Sequence, residues 1–181
     1  MTDLMKFLFV DVHGKFEWIG ITSVLAIVTL TYNAWDRRRQ FRADLISKSR
    51  IKWMEQVRPL VANFYTDSKK YIFDRLHANT KSQTLSIPEL NNNLVKVQEL
   101  YTQIILFTPD NESNELLLHS VKLVWGEIDN MSDYADLVAT RKISKSKLQA
   151  VNDYMMDLFN NGVKQSSKYF KLEWDRAKAG E

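Results

Sequence analysis

From Trp18 to Trp35 the chain reads WIGITSVLAIVTLTYNAW, a run with no charge and no proline closed at each end by a tryptophan. A helix that crosses a bilayer needs about 20 mostly apolar residues, and Phe16 lengthens this run to nearly that. Trp18 at one end, with Tyr32 and Trp35 at the other, matches the aromatic belts of the two membrane interfaces. The pattern therefore predicts a transmembrane helix over 16–35. Two alternatives compete with it. One is a buried helix, which the uncharged length and paired aromatic ends disfavour. The other is a cleaved signal peptide, which is opposed by Tyr32 and Asn33 ahead of Ala34 and by a basic cluster that follows the apolar run.

Beyond Trp35 the apolar residues recur at helical spacing. Neither Gly nor Pro occurs between Gly20 and Pro59, so the membrane helix is expected to continue as a rigid stalk. Ile46, Trp53, Val57, Leu60 and Phe64 form one stripe on it, and Pro59 is expected to kink or end the helix before Tyr71, Ile72 and Leu76 resume the pattern. NTKSQTLS reads as a loop. Ser86 with Ile87-Pro88-Glu89 is a capping box that predicts a second helix, carried by Leu90, Leu94, Val97, Tyr101, Ile104 and Ile105.

Pro109-Asp110-Asn111 supplies the next turn and cap. Leu117, Val121, Val124, Trp125, Ile128, Met131 and Leu137 then mark a third helix. After a basic loop at Arg141 and Lys142, Ser144 is placed to cap a fourth, with Leu148, Val151, Met155, Leu158 and Phe159 on its apolar face. Its aromatic end, Tyr169, Phe170, Leu172 and Trp174, is expected to dock on the rest. Short connections make sequential helices neighbours. The expected fold is all-α: an N-terminal single transmembrane helix continuing into a cytosolic antiparallel helical bundle of about four helices. Its segments are a short extracytoplasmic N-terminus over 1–15, the membrane helix over 16–35, a basic juxtamembrane stalk over 36–58 and the bundle over 59–181.

Charge fixes the expected orientation. Two basic residues, Lys6 and Lys15, precede Trp18, whereas seven lie between Asp36 and Lys52. Basic residues resist translocation, so the C-terminal side is expected in the cytoplasm and the N-terminus outside an inner or plasma membrane. Residues 36–52 carry +5 and residues 53–181 carry −1, so the basic excess is juxtamembrane. Arg37, Arg38, Arg39 and Arg42 are its densest part. They are candidates to attract anionic lipid or to hold the phosphates of a nucleotide or oligonucleotide regulator.

Composition removes much chemistry. Cys is absent, which excludes disulfides, thiolate metal sites and cysteine nucleophiles. There is no Gly-rich phosphate loop and no zinc spacing. His119 reads as a core or boundary histidine. Asp129, Asp133 and Asp136, with Glu127 nearby, read as the solvated face of the third helix rather than a metal cluster. No enzyme, cofactor or metal site is expected. The basic and aromatic tail, Lys168, Tyr169, Lys171, Trp174 and Arg176, has the residue types that stack on bases, with core docking as the simpler meaning.

Within the membrane segment Thr22, Ala26, Thr29 and Asn33 recur at spacings of four, three and four, which places small and polar groups on one face. Such a stripe lets helices approach closely and bond to one another, so a homo-oligomer is expected. A wider assembly would turn Thr22, Ser23, Thr29 and Asn33 towards water as a pore lining. The plainer alternative is that these hydroxyls bond their own backbone.

One N-terminal membrane helix, the cluster RRRQFR and the continuation SKSRIKWMEQVR leading into a helical domain resemble small membrane proteins of bacteria and their prophages. The layout also looks like single-pass membrane effectors of antiphage defence operons. That resemblance implies an oligomeric, pore-forming effector in antiviral defence, held closed by its cytosolic domain until a phosphate-containing signal changes. The competing expectation is a passive tether that recruits a cytosolic protein partner to membrane lipids.

Overall fold

The computed structural model describes residues 18–77, 87–139 and 145–180. These form four helices: α1 (Trp18–His77), α2 (Ile87–Phe107), α3 (Glu115–Ala139) and α4 (Lys145–Ala179). A single 3-10 turn, Glu112–Asn114, precedes α3. The expectations at 1–15, Phe16, Ser86, Arg141, Lys142 and Ser144 lie outside the described residues, as do those on the side chains of Met131, Asp133, Asp136, Leu137 and Leu148.

The all-helical bundle agrees with the periodicity. Among the described residues, however, no helix is long and apolar enough to cross a membrane, so the expected span at 16–35 lacks that support.

The 60-residue helix α1 is the spine. Pro59 neither ends nor splits it. Proline costs one backbone hydrogen bond there. Val57, Val61 and Phe64 are buried on either side of it and hold the two halves in line, while Pro59 itself faces outward.

α2 and α4 both run antiparallel to α1. Trp53 Nε1 donates to the Phe107 carbonyl and Asp67 pairs with Lys96, so α2 descends as α1 rises. On the other side Arg50 meets Glu173, and Tyr65 meets Ser166 of α4. α3 closes the bundle, reached through Tyr65 to Ser120 from α1 and through Tyr154 to Glu127 from α4.

Val57, Phe64, Leu76, Val97, Ile104, Leu117, Val121, Val124, Ile128, Met155 and Tyr169 form the centre of the core. Each aliphatic side chain buried this way contributes about 1.5–3 kcal/mol. Three sequence expectations need correction. Trp125 is half-buried and stacks on Tyr101 at 4.9 Å between ring centroids. His119 is exposed instead of lying at the core. Of the aromatic tail, Tyr169 and Phe170 dock, but Leu172 and Trp174 stay exposed, because a helix can turn only one face inward.

Candidate functional site

α4 ends where α1 leaves the bundle. Gly180 takes the left-handed conformation (φ 73°) that caps a helix, donates its N–H to the Ala177 carbonyl and lies against Ala43. From Thr22 to Arg42, about 32 Å at 1.5 Å per residue, α1 is exposed at every residue but Asp36 and stands clear of the other helices. Every residue from Thr22 to Trp35 is exposed. Trp18 is 72% and Leu30 68% exposed, and Leu25, Ile27, Val28 and Tyr32 lie between 57% and 63%.

At about 100° per residue these apolar groups occupy most of the circumference. Thr22, Ala26, Thr29 and Asn33 fill the narrow sector that remains. Ser23 lies a further step round, off that line. The stripe is thus a face of the exposed helix, but Thr29 Oγ1 donates to the Leu25 carbonyl at 2.8 Å and is satisfied within its own helix. Thr31 does the same towards Ile27.

Arg37, Arg38, Arg39 and Arg42 are all exposed on the stretch between Trp35 and Ala43. They encircle the helix instead of converging on a point, since residues 37, 38 and 39 are each rotated by about 100°. The Arg39 guanidinium lies 5.9 Å from the Trp35 ring, the arrangement of a cation above an aromatic face. Along the segment the distribution is plain: aliphatic from Val24 to Leu30 apart from Thr29, aromatic at Tyr32 and Trp35, and cationic from Arg37 to Arg42.

The root of the projecting segment holds a polar network that sequence reasoning missed. Arg50 Nη1 donates to Glu173 Oε2 at 2.7 Å, and Arg176 Nη1 donates to the other carboxylate oxygen at 2.6 Å. Glu173 is buried, so two guanidinium groups hold its charge away from water. Tyr169 donates to Asn114 Oδ1, and the Asn114 side-chain amide donates to the Pro109 carbonyl. Trp53 packs edge-on against Tyr169, with centroids 6.2 Å apart. Burial, with the Glu173 carboxylate adding to it, pushes the Tyr169 phenol far above its ordinary value. No sequence signal links Arg50 to a residue 123 positions away.

Among the described residues no group of three or more His, Cys, Asp or Glu is placed to hold a metal ion. His119 borders an open hollow of about 400 Å³ with Asp110, Glu112, Glu115 and Lys122, and Asp110 already pairs with Lys122. Comparison with protein-family models, with curated proteins and with solved structures returns no match.

Proposed function

We propose that the chain is an oligomeric membrane effector in which the bundle controls the association of its projecting helices. The observation that carries this reading is the projecting half of α1, apolar around most of its surface, exposed along its length and continuous with the helix at the centre of the bundle. A helix that is apolar around most of its circumference is stabilised by a non-aqueous surrounding or by partner helices. Thr29 and Thr31, bonded to their own backbone, carry less of the penalty that free hydroxyls meet in lipid. The modest apolarity of the segment favours several copies over one, because Asn33 and the small residues of the stripe then face one another instead of acyl chains.

Continuity supports an active role. With no break between Trp18 and His77, rotation or tilt of the bundle is transmitted to the apolar segment, which a flexible linker would absorb. The topology follows the basic asymmetry, with the bundle cytoplasmic and the N-terminus outside. A ring of Arg37, Arg38, Arg39 and Arg42 from several copies would concentrate positive charge where anionic lipid or a phosphate-containing regulator binds.

A passive tether is the second reading, and one observation favours it: the self-bonded Thr29 hydroxyl removes one expected inter-helix bond from the stripe.

Membrane attachment is tested first. Full-length protein should float with vesicles and resist alkaline extraction, and Leu25→Asp with Val28→Asp should release it; wild-type protein that stays in the soluble fraction would end both readings. Ala26→Leu with Thr29→Leu then separates them. An effector should lose oligomer size in detergent and lose membrane depolarisation in cells, whereas a tether should be unaffected in both. Inserting one alanine after Ala43, which turns the segment by about 100°, should impair the effector alone.

A further inference from the structure

Between α1 and α4, on the flank of the bundle, two hollows of about 790 and 270 Å³ share Thr66 and together make one open groove. It follows α1 from Arg58 to Phe73, about 22 Å, the length of four helical turns. Buried side chains close its floor, Val61, Tyr65 and Phe170 at one end and Ile72, Met155 and Phe159 at the other, and its exposed apolar surface comes from Val163, Trp174 and Phe73. Its rim is cationic. Arg58, Lys69, Lys70 and Lys171 line it, and no Asp or Glu is among the described residues that do.

We infer that this groove docks an acidic amphipathic helix of a partner protein, about 15 residues long. An apolar trough four turns long accepts the apolar face of such a helix, and its cationic rim meets carboxylates on the two flanks. The openness of the trough suits a helix laid along it better than a small molecule, whose sites enclose most of the ligand. Single-stranded nucleic acid would also answer the positive rim, but it needs bare aromatic faces for its bases. Here the Arg58 guanidinium covers the Phe170 ring at 5.3 Å and the Lys178 ammonium covers Trp174 at the same distance. Tyr65 is anchored through its hydroxyl to Ser120 and Ser166. This inference does not depend on membrane insertion of α1.

The chain has no cysteine, so Thr66→Cys gives one thiol for an environment-sensitive fluorophore at the middle of the groove. Full-length protein in detergent is titrated with three probes. One is a helical peptide of about 15 residues with leucines along one face and glutamates on both flanks. The second is its lysine-flanked twin, and the third is an oligo-dT strand. The acidic peptide should bind saturably and at least about tenfold more tightly than the other two. Arg58→Glu with Lys171→Glu should reverse the order of the two peptides, and Ala62→Trp should weaken both. Should the double variant unfold, Lys171→Glu alone, at an exposed position, should still narrow the preference. Equal binding of both peptides, tighter binding of oligo-dT, absence of saturable binding by the acidic peptide, or an unchanged order in the charge variants would each overturn the inference.

Discussion

A Cβ placed on Gly162 would lie 2.7 Å from Cε1 of Tyr65, so α4 approaches α1 here at a distance that only glycine permits. The ring cannot easily withdraw, because its hydroxyl is held by Ser120 and Ser166. Gly162→Ala is accordingly expected to destabilise the bundle by about 1–3 kcal/mol, read as a lower denaturant midpoint at unchanged slope. In the background of Tyr65→Ala, where the ring is gone, the same change should cost much less.

Glu173 is the buried member of a carboxylate held by two guanidinium groups. Glu173→Ala should cost about 3–5 kcal/mol, because Arg50 loses its partner at a largely buried site. Arg176→Ala should cost less, since Arg176 is more exposed and Arg50 remains. A double-mutant cycle between Arg50 and Glu173 should return a coupling above that of a surface ion pair, roughly 1 kcal/mol.

Stability should be insensitive to Tyr65 and Tyr169 up to about pH 10 and fall above it. Burial raises both phenols in the folded chain, with the hydroxyls of Ser120 and Ser166 partly opposing the rise at Tyr65. The folded state therefore holds its phenolic protons in a range where the unfolded chain has released them, and each further rise in pH favours unfolding. Tyr65→Phe with Tyr169→Phe should flatten this alkaline limb, followed by circular dichroism during denaturation.

Trp125→Ala should cost about 1–3 kcal/mol, below the usual loss for a fully buried tryptophan. Trp125 is half-buried and covers Tyr101, so what is lost is a stacked pair at the edge of the core.

Much of this bundle was legible in the sequence, and the reasons differ by element. Helices α2, α3 and α4 carry an apolar stripe on a polar background, and Val97, Val121 and Met155 lie buried where that period put them. Asn111 caps the turn before α3 through its side chain, as Pro109-Asp110-Asn111 implied. Pro59 misled because a local rule gave way to packing on both sides of it. Trp174 and His119 misled for a related reason: period assigns a face but does not say which of two neighbouring positions a third helix will cover. The groove between Arg58 and Lys171, and the carboxylate between Arg50 and Arg176, were invisible because they join helices far apart along the chain.

That separation has a consequence in time. Arg50 and Glu173 are 123 residues apart, and the ribosome adds about 5–20 residues per second. For roughly 6–25 seconds the inward face of α1, with Val57 and Phe64, exists before α4 is available to cover it. The Trp18–Trp35 run is made earlier still, ahead of the faces that build the bundle core. An apolar surface that emerges ahead of the domain meets its surroundings on a nascent chain whose bundle is still open, so the order of synthesis separates exposure of this run from closure of the core.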